Sequence, residues 1–212
     1  MVTRWDVCVV LCMCRQTSLS SGNIQKMGKG FRTHEGIVGT DLRGHFEAAF
    51  RRKGMMTLRM NALMNDTEAT LLSHAYENPD TRISLICGTG TNAALQLPVS
   101  AVAEAKLGAR SDNWSERAKV TLVNTECSMF GGDGVFPATN ADKVLDANQI
   151  HPGFQPFEQL VGGRYLGEVC RITLVELASA AGGGEKLFAG VIPEGLEERF
   201  SLDTAMLGAF EK

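Results

Sequence analysis

The chain has 212 residues, 44% apolar and 21% charged, with 21 Lys and Arg against 24 Asp and Glu for a formal charge of −3. That apolar content supports a real core and excludes a disordered chain, and six cysteines are too few for a disulfide-built mini-protein. The slightly acidic balance argues against nucleic acid or an anionic membrane as a general partner and leaves room for a local phosphate site.

Residues 7–13 form an apolar run too short to span a bilayer. Asp6 precedes it and no small-residue cleavage site follows, so a buried strand or an atypical start is favoured over a signal peptide. The cysteines at 8, 12, 14, 87, 127 and 170 form no C-x-x-C pair. They give no zinc signature and fit free thiols in a reducing compartment, so a cytoplasmic location is expected. Residues 17–22 and 28–39, rich in Ser, Gly and Thr, read as loops around a short segment, 23–27. Asp41 is placed to cap a helix in which Leu42, Phe46, Ala49 and Phe50 recur at helical spacing. Arg51, Arg52 and Lys53 sit where the helix dipole favours cations, and Gly54 closes the element.

Residues 56–64 alternate as a strand, with Leu63 breaking the rule, and 67–76 return to helical spacing until Asn78, Pro79 and Asp80. Strands at 83–87 and 93–97 flank the Gly88-Thr89-Gly90 turn. Residues 98–117 show no firm period, and 120–125 form the next strand. Glycines 131–134 make a loop, and 142–150 are weakly helical. One long helix is expected from Pro156 or Phe157 to Ala181, ended by Gly182 to Gly184, and the remainder holds short turns around Pro193, Gly195 and Gly208. Interleaved strands and helices indicate an α/β layer structure.

Four segments could carry chemistry. Asn65-Asp66-Thr67 lies where a strand gives way to a helix, the end at which open α/β sheets hold ligands, although Asp or Thr there is preferred for capping alone and, taken in isolation, the segment reads first as a cap. In Gly88-Thr89-Gly90-Thr91-Asn92, glycines would bring the main chain close to a phosphate, or simply make a hairpin turn. Glu126 at a strand end and Glu158 at a helix start could each accept two sugar hydroxyls, or stand as a solvated charge or dipole partner.

Taken as a set, Met64-Asn65-Asp66-Thr67, Ile86-Cys87-Gly88-Thr89-Gly90-Thr91-Asn92-Ala93, Asn124-Thr125-Glu126, Pro152-Gly153-Phe154-Gln155-Pro156-Phe157-Glu158 and Tyr165-Leu166-Gly167-Glu168-Val169-Cys170-Arg171 resemble the eukaryotic, fungal-type hexokinases. Gly28-Lys29-Gly30-Phe31 resembles that family's T-K-G-F sugar loop, and the resemblance runs from about Gln16 to Phe210. It implies part of an actin-like ATPase (ribonuclease H-like) sugar-kinase fold, a mixed sheet with flanking helices. Residues 1–15 would be an atypical N-terminal segment, 16–54 a remnant of the small sugar-binding lobe, and 55–212 part of the large lobe.

The implied activity is ATP-dependent phosphorylation of a hexose at its 6-hydroxyl, the entry step of glycolysis. Glucose would be the substrate, with fructose or mannose as further ones. Asp66 would act as base beside the 6-hydroxyl, Lys29, Asn65, Asn92, Glu126 and Glu158 would hold the sugar, and Gly88, Thr89 and Gly90 would face the phosphoryl group. ATP and Mg²⁺ are the implied cofactors, the metal arriving on the nucleotide with most of its waters rather than on protein ligands. At a helix N-terminus the dipole favours the Asp66 carboxylate, which suits orientation of the hydroxyl and late proton acceptance.

The sequence departs from the family pattern at Gly28, which stands where the family has Thr, and at Cys127-Ser128-Met129-Phe130, which replaces Trp-Gly-x-Phe. An Asp-x-Gly-Gly-Thr phosphate hairpin and the adenosine-enclosing glycine segment are absent from these residues. Weak or no turnover is therefore expected of the 212-residue chain. The alternative is a catalytically impaired, hexokinase-like sugar sensor or regulatory protein.

Overall fold

The computed structural model of the chain describes residues 5–10, 14–29, 31, 34, 36–107, 110–111, 113–132, 134–179 and 187–209, the first strand by its backbone alone. The strands are β1 (Trp5–Val10), β2 (Cys14–Ser18), β3 (Ser21–Ile24), β4 (Leu58–Met64), β5 (Ile83–Cys87), β6 (Thr91–Pro98) and β7 (Val120–Asn124). The helices are α1 (Leu42–Arg52), α2 (Asp66–Glu77), α3 (Trp114–Arg117), α4 (Asn140–Ala147), α5 (Pro156–Val161), α6 (Gly163–Ser179) and α7 (Thr204–Ala209). Parallel and antiparallel pairing both occur: β1 runs parallel to β4, β2 and β3 are antiparallel, and a third sheet has the order β5-β6-β7. Backbone contacts divide the chain into two compact units, residues 1–27, 31–85 and 93–125 in the first and 28–30, 86–92 and 126–212 in the second.

In the first unit, Val7 pairs with Met60 and Cys8 with Ala62, so Asn61 is one residue too many for β1. This bulge explains why Leu63 breaks the alternation: the inward phase passes from Met60 to Leu63, both buried. Residues 17–22, expected as a loop, instead contribute to the β2–β3 hairpin. Gly22 makes that possible, because a Cβ there would lie 2.8 Å from Cys14 Sγ and 2.9 Å from Leu63 Cδ2. Asp41 stands at the N-cap of α1. Its Oδ1 accepts from Ser21 Oγ at 2.9 Å and the Gly22 N–H at 3.0 Å, fastening the hairpin to the helix start. Burial is the largest single influence and would raise the Asp41 carboxyl, but the bonds from Ser21 and Gly22, with those from the Arg43 and Gly44 backbone, together hold it below its usual range.

The second unit corrects the single long helix. Gly162 adopts an extended conformation (φ −73°, ψ 133°) and separates α5 from α6. Gly163 then donates its N–H to Gly88 O at 2.7 Å and Arg164 to Thr89 O at 3.1 Å, bonds that a continuous helix would have directed back into itself. Ala141, Leu145, Tyr165 and Ile172 form the core of this unit, with Val169 and Phe200 against it. On α6, buried Glu168 takes a two-pronged bond from Arg171, 2.8 Å on each side, and the Phe200 N–H at 2.5 Å. Arg171 also donates to Leu196 O at 2.8 Å, so one ion pair anchors the chain beyond α6. Cys14, Cys87, Cys127 and Cys170 are free thiols, while Cys12 and the Cys8 side chain lie outside the described residues. Among the described residues no helix is long and apolar enough to cross a membrane.

Candidate functional site

Asn65 and Asp66 belong to the first unit, where β4 ends and α2 begins. The cap is Asn65 rather than Asp66 or Thr67. Its Oδ1 accepts the Thr67 N–H at 2.9 Å and the Thr67 hydroxyl, and its own N–H donates to Glu68 Oε2 at 3.0 Å. This reciprocal capping box satisfies the helix start with Asn65, Thr67 and Glu68, all buried, and leaves Asp66 as the first helical residue. The Asp66 carboxylate accepts from the Thr67 N–H at 2.9 Å.

Lys29, Gly88, Thr89, Gly90, Asn92, Glu126 and Glu158 all belong to the second unit. Its centre is Glu158, 1% exposed at the start of α5. Glu158 Oε2 accepts the Thr91 N–H at 3.0 Å and lies 3.3 Å from Lys29 Nζ. Among the described residues, Glu158 Oε1 is buried with no hydrogen-bond partner. A buried carboxylate oxygen left in that state is costly to the fold, and a donor brought by a ligand would relieve it. Gly90 lies against this pair so closely that a Cβ would fall 2.1 Å from Lys29 Nζ and 2.2 Å from Glu158 Oε2. Gly88 and Thr89 are exposed, and a Cβ on Gly88 would meet nothing within 4 Å, so the tip of the turn is open to a ligand while Gly90 is shut beneath Lys29.

Three main-chain segments are laced around Glu158. The hairpin turn is held by the Gly163 and Arg164 N–H groups. The segment after Glu126 is a 3₁₀ turn, Cys127–Met129, packed on α5, where Phe157 N–H donates to Phe130 O at 3.1 Å and Gln155 Nε2 to buried Ser128 Oγ at 3.2 Å. The loop before α5 is fixed by Asp146 on α4, whose Oδ1 accepts from Gly153 N–H at 2.7 Å and Gln159 Nε2 at 2.8 Å. Lys29, Glu126 and Gln155 all have left-handed backbones, with φ of 59°, 46° and 56°. Such strain costs about 1–3 kcal/mol per residue and gathers at functional sites.

Gly28 has a local explanation. A Cβ there would lie 2.0 Å from Gln155 Oε1, so the glutamine amide fills the space a threonine would need. Gly30, in the same loop, lies outside the described residues. Tyr165, buried beside this cluster, has its phenol pushed up by burial and by the negative charge of Glu158. Sequence reasoning missed Gln155, Thr91 and the Gly162-Gly163 break; two adjacent glycines inside an apolar helical stripe were the one available signal for the break. Among the described residues no three His, Cys, Asp or Glu side chains gather as metal ligands.

Comparison with known proteins matches the family described as Hexokinase over residues 82–212 and again over residues 12–76. The chain is 38% identical over 199 residues to Hexokinase-2, chloroplastic, of Nicotiana tabacum, covering 93% of this chain and 37% of that protein. It is 36% identical over 195 residues to Hexokinase-5 of Oryza sativa subsp. japonica, covering 92% and 36%. The structure resembles a hexokinase from Schistosoma mansoni complexed with glucose, with a TM-score of 0.84 and 32% identity over 99% of this chain and 45% of that one. The chain thus spans 36–37% of the length of these plant relatives.

Proposed function

The chain belongs to the hexokinase family, a partial actin-like ATPase fold, and on that premise we propose that it binds a hexose and takes part in transfer of phosphate from ATP to the 6-hydroxyl. The observation that carries the reading is Glu158: one carboxylate oxygen is held by Lys29 and the Thr91 N–H, and the other is buried and unpartnered. A sugar hydroxyl is a neutral donor that such an oxygen accepts at close range. Glucose is the sugar proposed first, with fructose and mannose behind it.

In this proposal Lys29, Asn65, Asn92, Glu126 and Glu158 hold the sugar, and Asp66 orients the 6-hydroxyl and takes up its proton. Gly88 and Thr89 present open main chain and a hydroxyl to the transferring phosphoryl group, with Gly90 giving Lys29 room to reach Glu158. Phosphoryl transfer asks the protein chiefly for alignment and charge neutralisation, the work of positioned donors rather than of covalent chemistry. Mg²⁺, held by the nucleotide and water, would supply neutralisation of the phosphate charge. A cytoplasmic enzyme of glycolysis is the proposed setting, with a plastid as the other location that the names of two plant relatives allow.

A second reading, sugar binding without turnover, draws support from Gly28, which stands where the family pattern has Thr, and from Cys127, which stands where it has Trp. Calorimetric titration with D-glucose tests the shared premise. Heat at millimolar sugar from the wild-type chain and its loss in Glu158→Gln is the expected result; a wild-type chain that gives no heat overturns both readings.

A further inference from the structure

Among the described residues, two buried polar atoms without a partner belong to residues that are already hydrogen-bonded to each other. Glu158 Oε1 is one; the other is the hydroxyl of Thr91, a residue 3% exposed whose N–H already serves Glu158 Oε2. Nothing among the described residues accounts for that hydroxyl. Thr91 opens β6, where valine has the same shape and an equal strand preference, and its N–H bond to Glu158 does not need the side chain. A buried hydroxyl without a partner opposes folding relative to an apolar group of the same shape.

The chemistry of the two atoms is complementary in one specific way. A carboxylate oxygen only accepts, whereas a threonine hydroxyl both donates and accepts. A ligand hydroxyl has the chemistry to serve both, donating to Glu158 Oε1 and accepting from Thr91 Oγ1. An ammonium could not accept and a phosphate oxygen could not donate to the carboxylate. We infer that Thr91 is a further sugar-binding residue, its hydroxyl completing with Glu158 Oε1 a donor-acceptor pair for a single hydroxyl of the hexose. The inference rests on the sugar-binding reading above and extends it to a residue placed by geometry.

Thr91→Val and Thr91→Ser in the whole chain provide the test, with D-glucose calorimetry and thermal unfolding as separate readouts. Thr91→Val should weaken glucose association about tenfold, the loss of one buried hydrogen bond, while the sugar-free protein melts at the wild-type temperature or above it. Thr91→Ser should bind within about twofold of wild type. Retained affinity in Thr91→Val overturns the inference and leaves the sugar reading standing, which is also what a water held there for structural reasons alone would give. A lower melting temperature in Thr91→Val, with weak binding not rescued by serine, overturns it in favour of a packing role. No glucose heat from the wild-type chain overturns the sugar reading and this inference together.

Discussion

The N–H of Gly163 donates to the carbonyl of Gly88 at 2.7 Å, so the start of α6 and the tip of the β5–β6 turn form one hydrogen-bonded unit. A Cβ on Gly163 would lie 2.8 Å from that carbonyl oxygen, closer than carbon tolerates. Gly163→Ala should therefore push the turn away, lowering stability by about 1–3 kcal/mol and weakening glucose binding. Gly88→Ala is the comparison: its Cβ meets nothing within 4 Å, so its melting temperature should stay near wild type. Equal melting temperatures for the two variants would show that the contact does not constrain the fold.

Lys29 and Glu158 form an unequal pair, with side chains 22% and 1% exposed. Removing the cation leaves a nearly fully buried carboxylate without its counter-charge. Lys29→Met should destabilise by about 3 kcal/mol, the low end for a broken buried pair because the ammonium reaches solvent. Adding Glu158→Gln should restore part of that stability, since the charge that needed the lysine is gone. Denaturant unfolding of both single variants and the double variant measures the coupling; simple additivity would mean the pair is not coupled.

How much of this was legible in the sequence depended on the range of the interaction. The strand at 58–64, the helix at 66–77 and the 83–98 hairpin were readable because alternation, helical spacing and a glycine turn are local signals. The β2–β3 hairpin was not, because Gly22 is there to clear Cys14 and Leu63, and that clearance is invisible along the chain. The long helix failed for the same reason: the apolar stripe continues through residues 162–163, and only the carbonyls of Gly88 and Thr89 reveal why the backbone turns out there. By its type alone Glu158 was open to reading as a sugar ligand, a solvated charge or a dipole partner; its burial was not legible, because its partners lie far away in sequence, at Lys29 and Thr91.

Glu168 gives a pH dependence whose sign follows from its partners. Burial acts to raise its carboxyl, but bonds from Arg171 and the Phe200 N–H outweigh that and hold it below the ordinary glutamate range, about 4.3. A carboxyl lowered in the folded state adds stability above its unfolded pKa, and that stability is lost as pH falls through the folded value. Wild type should exceed Glu168→Gln in stability at pH 7, and the gap should shrink as pH drops below about 4. Urea unfolding at pH 7, 5 and 3 measures this, and a gap that does not change with pH would mean that the Glu168 charge is not what anchors residues 196–200.

Asp66 separates folding from chemistry, because the capping of α2 is done by Asn65 and Glu68. Asn65→Ala should cost about 1 kcal/mol as a lost cap. Asp66→Ala removes a favourable charge at the helix start and a bond from the Thr67 N–H, which Asn65 Oδ1 still accepts, and should cost less, about 0.5 kcal/mol. If Asp66 takes the proton of the 6-hydroxyl, the same substitution should lower transfer from ATP to glucose at least about 100-fold while glucose affinity changes far less. A discontinuous assay for sugar phosphate, sensitive to slow turnover, measures the first quantity and calorimetry the second. Unchanged transfer in Asp66→Ala removes the proposed base. A wild-type chain that binds glucose but forms no sugar phosphate shifts the assignment to a sugar sensor, with Asp66 kept only as a helix-start charge.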